Sequence, residues 1–368
     1  MVELSPGASC RSGHIEPEAL LLCACCRQRF GDAHRDAVRT LCVRHAIRWD
    51  RLLAAAIEHG VAPLVGANLE NLEKAQGSDH LVPPETLLRF KLATLRNRAA
   101  KERAGSATAD LLAYCNERSL PVLLIKGIAL DHLVYQPPSA TVSVDVDLVL
   151  GVQHDEIGKE LKTGFCEFVA TLERRTGWGW EYEWFTHHDI TLNGLLPVSF
   201  RRIWEDAVAI QFRGQAAFVM SPEDLLIAAC ISCHRRRYLR LKLLCDVAET
   251  VARYPELDWD LVWSKSLQYR CSTIVYAALV ASSSTVGLET PLQAPPRPHV
   301  SPAHARLIRS LFGQIDRRIL EWGTTYAAGR ADWSLLKTYA TLRLDQLGPT
   351  LKRAMKKLTR RRRGTGRK

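Results

Sequence analysis

Two aspartates stand among valines in the stretch "TVSVDVDLVLG", residues 141–151. The strict alternation is typical of a β-strand, in which successive side chains point to opposite faces, so Asp145 and Asp147 share one face. Two carboxylates placed so close repel each other and resist ionisation unless the face is solvated or a positive group lies between them. A divalent cation is the obvious candidate for that group, and a solvated sheet edge is the alternative.

A phosphate-binding turn is predicted at Lys126 and Gly127. They follow the apolar run "PVLLI" (121–125), which predicts a buried strand, and they begin "KGIALDHLVY", which predicts a turn into a helix. The free N–H groups at the start of a helix and the positive end of its dipole can hold a phosphate, and glycine permits a close approach. A plain turn without a ligand is the alternative.

A third carboxylate, Asp189, lies in "HHDIT", which predicts another strand. Two Mg²⁺ ions about 4 Å apart need several hard oxygen ligands and grip both the attacking oxygen and the phosphate being attacked. Asp145 and Asp147 could bridge two such ions, with Asp189 completing the shell of the ion that activates an acceptor. The acids and the turn together therefore predict phosphoryl chemistry.

The elements that must position these residues change character twice along the chain. Helical spacing of apolar residues dominates before residue 120, strand patterns follow as far as about residue 220, and helical spacing then returns. We therefore expect an α+β fold with a small mixed β-sheet core and helical regions at both ends. The expected divisions are 1–118 (helical), 119–220 (core sheet), 221–350 (helical) and 351–368 (a basic tail).

Composition indicates a folded protein without a membrane span. No apolar run approaches the roughly 20 residues that a membrane helix requires, and the first residues lack the apolar core of a signal peptide, so we expect a cytoplasmic protein. The eleven cysteines are odd in number and scattered, which argues against a disulfide framework. Two clusters, "CACC" and "CISCH", lack a second ligand pair at zinc-site spacing, so buried cysteines on helices are the favoured interpretation over a zinc site.

The net charge of +11 is concentrated at one end of the chain. Ten Lys or Arg and no acid lie between Lys352 and Lys368, so the remainder carries 11 − 10 = +1. Such a tail attracts nucleic-acid phosphates or anionic lipid without specificity, or it is only a solubilising terminus.

Three separated blocks of the sequence resemble one family. The stretch "LLIKGIALDHLVYQPPSATVSVDVDLVL" (123–150) is similar to the core of the uncharacterised-type nucleotidyltransferases, a bacterial branch of the polymerase-beta-like nucleotidyltransferase superfamily. The segments 47–65 and 220–263 are similar to the helices that precede and follow that core. The resemblance extends over residues 20–265, and its order is more specific than any one motif.

The resemblance implies a transferase that moves a nucleoside monophosphate from a nucleoside triphosphate (NTP) to a hydroxyl or amine acceptor, with release of pyrophosphate. It implies that Asp145 and Asp147 bind Mg²⁺, that Asp189 is the third acid, and that Lys126 and Gly127 occupy the phosphate turn.

The helices after the core add three polar residues. His234, Lys242 and Asp246 match positions where the family carries polar side chains, and Lys242 could reach a triphosphate. Lys242 and Asp246 are also four residues apart on a predicted helix, so a simple surface ion pair is the alternative.

Three positions depart from the family pattern. Thr141 stands where members often carry an arginine, Val144 where they carry a small residue, and Thr191-Leu192 where they carry a His-Trp pair. A missing arginine removes a bidentate phosphate donor. A non-catalytic nucleotide-binding module and a nucleic-acid-associated protein therefore stay open as alternatives.

Overall fold

Five helices form the N-terminal part of the computed structural model, which describes residues 16–74, 80–143, 145–153, 158–185, 190–192, 196–198, 200–236, 238, 240–288 and 300–312. They are α1 (Pro17–Ala24), α2 (Asp32–Arg44), α3 (Trp49–Glu58), α4 (Ala62–Lys74) and α5 (Pro84–Asn116). The start of α5 follows from proline at its first position, where the missing N–H costs nothing. The helical region expected ahead of the core sheet is confirmed among the described residues.

Seven strands follow among the described residues: β1 (Val122–Ile125), β2 (Asp145–Gln153), β3 (Gly179–Phe185), β4 (Ile190–Leu192), β5 (Leu196–Val198), β6 (Val208–Phe212) and β7 (Gln215–Val219). Five of them form one mixed sheet in the order β3-β2-β1-β7-β6. Strand β1 pairs antiparallel with β2 and parallel with β7, and β2 pairs parallel with β3. The predicted small mixed sheet is confirmed.

Three helices and a tight turn connect these strands. Helix α6 (Lys126–Leu133) begins directly after β1, α7 (Lys159–Thr176) joins β2 to β3, and α8 (Phe200–Glu205) precedes β6. Strands β6 and β7 form the predicted hairpin, whose turn places Gly214 at a φ of 81°, in the left-handed region that favours glycine.

Asp189 lies outside the described residues, and only a part of the strand predicted around it is described. Residues 190–192 form β4, which pairs with β5 in a separate two-stranded sheet. The place beside β2 is taken by β3, whose sequence "GWEYEWF" alternates aromatic and acidic residues and buries Trp180. Strand β3 therefore supplies the side chains that face the same side as the β2 aspartates.

The C-terminal region is helical, as predicted. Its elements are α9 (Pro222–Arg235), α10 (Leu241–Arg253), α11 (Trp259–Gln268), α12 (Ser272–Val286) and α13 (Pro302–Phe312). Ser221 caps α9 by accepting a hydrogen bond from the backbone N–H of Asp224 at 3.3 Å, and Pro222 follows at the first helical position. The basic tail at 351–368 lies outside the described residues.

The described cysteines are free thiols, and most of them lie in the core. Burial raises the pKa of Cys25 and of Cys230 far above the usual value, so both groups are protonated. Within the described ranges, no three His, Cys, Asp or Glu side chains are grouped as a metal site. No helix in that part of the chain combines the length and apolar character needed to cross a membrane.

Candidate functional site

Three carboxylates meet where β2 and β3 run side by side. Asp145 and Asp147 alternate along β2, and the parallel register places Asp147 opposite Glu181 of β3. Paired residues on neighbouring strands share one face of a sheet. Asp145, Asp147 and Glu181 all line one cleft of about 160 Å³ between the sheet and the C-terminal helices.

The ammonium group of Lys126 lies among these acids. Lys126 follows the end of β1, forms an ion pair with Asp147, and places Nζ 3.3 Å from Oε2 of Glu181. Its φ of 54° lies in the left-handed region, which costs a residue with a side chain roughly 1–3 kcal/mol and is found most often at functional sites.

The two paired carboxyl groups differ in how they hold a proton. Burial raises the pKa of Asp147 to about 7, against the lowering effect of Lys126. A hydrogen bond with Asp147 holds the pKa of Glu181 below its usual value. Near neutral pH, Asp147 therefore shares its proton with an ionised Glu181, so the pair carries less negative charge than two free carboxylates.

Gly127, in the predicted phosphate turn, packs closely against the side chain of Ser143. A Cβ at Gly127 would lie 2.8 Å from Oγ of Ser143, so any larger residue would displace that hydroxyl. Oγ of Ser143 is buried and has no hydrogen-bond partner among the described residues. A buried polar atom without a partner is costly, and a ligand in the cleft is one way to satisfy it.

The helical wall of the cleft is basic. Its charged lining comes from the end of α9, the segment that follows and the first turns of α10, namely Arg235, Arg236, Arg240, Lys242 and Asp246. The position where the family often carries an arginine holds Thr141, which is fully buried and does not line the cleft. The cleft's guanidinium groups therefore come from the helical wall.

Lys242 and Asp246 form the ion pair that their spacing allows, but the pair is buried and does not lie on the surface. Nζ of Lys242 donates to Oδ2 of Asp246 at 2.8 Å, and the hydroxyl of Tyr135 donates to Oδ1 at 2.7 Å. Burial opposes the charge on Lys242, but the ion pair with Asp246 raises the pKa of Lys242 above its usual value. The pair is buried, and both side chains border the cleft.

His234 belongs to the packing behind this wall. Its Nδ1 lies 3.2 Å from the hydroxyl of Tyr238, and its ring is not part of the cleft lining. Burial lowers the pKa of His234 to about 4, so the ring is neutral at physiological pH. Among the described residues, no hydrogen bond joins His234 to Asp145, Asp147 or Glu181.

The carboxylates that line the cleft have the chemistry of a magnesium site, although they do not lie close enough together to form a metal site in this structure. Carboxylate oxygens are the ligands Mg²⁺ prefers, and Asp145 and Asp147 provide them side by side on one strand face. Lys126 now supplies the positive charge between Asp147 and Glu181. Asp189 and Val144 lie outside the described residues, so the predicted convergence of three aspartates stays a prediction.

Sequence reasoning missed Glu181, Ser143 and the arginines. The alternation in "WEYEWF" was a signal for Glu181, but its place opposite Asp147 depends on a pairing across more than thirty residues of sequence. Ser143 was visible on the aspartate face of "TVSVDVD", and only the packing of Gly127 shows its hydroxyl without a partner.

Comparison with known proteins places this cleft in a family. No curated protein and no solved structure is significantly similar to the chain. The sequence model of the uncharacterised nucleotidyltransferase family matches residues 45–287, which is more than half of the chain and includes β1, β2, β3 and the helical wall of the cleft. The chain belongs to the uncharacterised nucleotidyltransferase family.

Proposed function

We propose that the protein is a Mg²⁺-dependent nucleotidyltransferase that transfers a nucleoside monophosphate from an NTP to a hydroxyl or amine acceptor and releases pyrophosphate. One observation carries the proposal: the strand acids Asp145 and Asp147 face the same cleft as the Lys126-Gly127 turn, in a chain of this family.

In this proposal, Asp145 and Asp147 hold the Mg²⁺, with Asp189 as the third ligand predicted from the sequence. Bound Mg²⁺ neutralises phosphate charge and polarises the phosphorus under attack, and a pair of ions would also activate the acceptor. The ammonium of Lys126 occupies part of this space and must leave Asp147 when the metal enters. Lys126 then has phosphate oxygens within its reach as new partners.

The phosphates have three kinds of donor. The start of α6 lines the cleft at Lys126 and Gly127, so the free backbone N–H groups of this helix end are the first kind. The hydroxyl of Ser143 has no other partner among the described residues. Lys242 and Arg235 face the turn from the helical wall and add positive charge.

The transfer itself exchanges one bond for another at the α-phosphorus. The acceptor oxygen or nitrogen forms a bond to that phosphorus, while the bond to the oxygen that bridges to the β-phosphorus breaks. The electron pair of the broken bond leaves with pyrophosphate, and the acceptor's proton passes to water. The chain orients the two reactants and shields the phosphate charge.

The cleft must widen to accept a nucleotide. Its volume of about 160 Å³ is below the roughly 300–1,000 Å³ that small-molecule sites occupy. Residues of α6 and of α9 line it on different sides, so the separation of these two helices is the direct way to enlarge it. NTP binding is therefore expected to move the helical wall away from the sheet.

Labelled nucleotides test the proposal. The full chain is incubated with Mg²⁺, a cell extract and each NTP labelled either at the α- or at the γ-phosphorus. We expect the α-label to enter an acceptor and the γ-label to appear in pyrophosphate, with both reactions lost in Asp145→Asn. Binding of NTP without transfer of the α-label to any component would instead indicate the non-catalytic module.

The basic tail defines a further arm of the same assay. If the acceptor is a small molecule, removal of residues 352–368 should leave label transfer unchanged and should sharply reduce binding to RNA or DNA, because that binding depends on the number of phosphate-neutralising cations. If the truncated chain loses both label transfer and nucleic-acid binding at low salt, the acceptor is a nucleic acid.

A further inference from the structure

A second cavity, of about 480 Å³, lies on the other side of α6 from the candidate cleft. Gly127 and Leu130 of this helix line the cleft, whereas Ile128, Asp131 and His132 line the second cavity. Successive helical residues are rotated by about 100°, so Ile128 and His132 point away from the side of α6 that carries Gly127 and Leu130, and Asp131 lies between the two sides. The second cavity is therefore separate from the proposed nucleotide site.

Apolar and aromatic side chains form most of its walls: Leu95, Ala104, Ile128, Trp178 and Phe212. The ring of His132 packs against Phe212 with 5.3 Å between centroids. Burial lowers the pKa of His132, so this ring adds a neutral face. The walls suit a flat or aliphatic body, and the volume falls in the range of roughly 300–1,000 Å³ that is typical of small-molecule sites.

The charged groups of the cavity leave one positive charge without a hydrogen-bonded acid. Lys101 pairs with Asp131 and also donates to the carbonyl of Pro138 at 3.2 Å. Arg213 donates two hydrogen bonds to Glu102, at 2.6 and 2.8 Å. Arg98 is exposed one turn before Glu102 on α5 and acts on that acid through its charge alone, because no hydrogen bond joins Arg98 to any residue that the structure describes.

We propose that this cavity binds a small molecule with a compact apolar body and a single anionic group, of the aromatic carboxylate or sulfonate class. The body lies between α5 and α6 against Trp178 and Phe212, and the anion meets Arg98 at the solvent side. A neutral ligand would leave Arg98 unused, and a second anionic group would approach Glu102.

The loop that closes the cavity is held in place from α5. The side-chain amide of Asn97 donates to the carbonyls of Ser139 at 2.8 Å and Thr141 at 3.0 Å, and all three residues are buried. This contact fixes the 137–141 segment as a wall before any ligand arrives. A preformed wall reduces the entropy lost on binding.

A fluorescent probe of the proposed class tests the site on the full chain. We expect 8-anilino-1-naphthalenesulfonate to bind at one saturable site, with its Kd raised about tenfold in Arg98→Glu, because an attraction at a partly exposed site becomes a repulsion. Arg96→Glu makes the same charge change on an exposed position of α5 outside the cavity and should leave the Kd unchanged. Equal Kd values in the two variants would overturn the proposal.

Competition with unlabelled molecules removes the dependence on variants. 2-Naphthoate should displace the probe at a concentration at least about tenfold lower than 2-naphthalenemethanol, which has a similar body without the charge. Equal displacement would overturn the anionic part of the proposal. Displacement by Mg²⁺ and NTP would overturn it altogether, because the probe would then occupy the cleft, whereas undiminished binding to Asp145→Asn supports a separate site.

Discussion

Two lysine–aspartate pairs on opposite sides of α6 have the same chemistry and different surroundings. Lys126 pairs with Asp147 in the cleft, with side-chain exposures of 26% and 4%. Lys101 pairs with Asp131 in the wall of the second cavity, with exposures of 8% and 9%. The cleft lysine also reaches Glu181, whereas Lys101 is fixed by the carbonyl of Pro138.

The difference shows which pair can exchange its partner. The ammonium of Lys126 is accessible from the cleft and has other anions within reach, so a metal ion and phosphates can replace its contacts. The Lys101–Asp131 pair is more deeply buried on its cationic side, and buried charges that lose a partner are strongly destabilising. We therefore assign the cleft pair to function and the second pair to the stability of the fold.

The largest expected difference between the two pairs is in NTP transfer and stability when one aspartate of each pair is replaced by asparagine. Asp147→Asn should lower NTP transfer by about a thousandfold, since it removes a carboxylate that we propose binds the metal. Its stability should change by less than about 1 kcal/mol, because asparagine resembles the protonated carboxyl that burial favours at this position.

Asp131→Asn is the matched control in the second pair. It should leave the cleft acids intact and reduce the free energy of unfolding, since Lys101 loses its anion in a buried setting. Initial rates with labelled NTP and urea unfolding measure the two effects. Loss of activity in Asp131→Asn at a temperature where it is fully folded, with activity retained in Asp147→Asn, would reverse our assignment.

Replacing the lysine of each pair should change the free energy of unfolding by different amounts. Lys101→Met should lower the free energy of unfolding by about 3 kcal/mol, because Asp131 is left buried without its cation. Lys126→Met should change it by less than about 1 kcal/mol, because the lysine is partly exposed and because Asp147, whose pKa burial raises to about 7, can take up a proton when the cation is removed. Equal losses in urea unfolding would show that the two pairs are equivalent.

The sequence predicted the cleft acids better than it predicted their surroundings. Alternation along one strand was enough to put Asp145 and Asp147 on one face, and the strand-to-helix change was enough to place Lys126 and Gly127 beside them. These signals are local. Glu181 required the pairing of β2 with β3, which no local pattern determines.

The second cavity could not be predicted from the sequence for the same reason, since it depends on contacts between residues that are distant along the chain. Lys101 and Asp131 are thirty positions apart on different helices, and nothing in either helical pattern indicates that they meet. Residues 190–192, from the strand expected around Asp189, form β4, which pairs with β5 outside the main sheet.

Acid should weaken the fold through His234, behind the helical wall of the cleft. Its folded-state pKa of about 4 is below the unfolded value, so the unfolded chain binds the proton more tightly and stability falls as the pH decreases from about 6.5 to about 4. The loss should be on the order of 3 kcal/mol, and His234→Gln should reduce it while keeping a partner for Tyr238. Identical pH profiles in urea unfolding would contradict this role.

The smallest effect is expected at the phosphate turn. Ser143→Ala should weaken NTP binding about tenfold, since it removes one hydrogen-bond donor from the cleft. Thr141→Val is the matched control, because Thr141 also has a buried hydroxyl without a partner among the described residues but does not line the cleft. Equilibrium binding of a labelled NTP should respond to the first change only, and a response to both would remove Ser143 from the site.

The most direct test of the central claim measures Mg²⁺ itself, since it does not depend on knowing the acceptor. The melting temperature is recorded against Mg²⁺ concentration at constant ionic strength for the wild type and for the Asp145→Asn, Asp147→Asn double variant. A ligand that binds the folded state raises its stability, so Mg²⁺ should raise the melting temperature of the wild type more than that of the double variant. Equal shifts would contradict a dedicated metal site at these two aspartates.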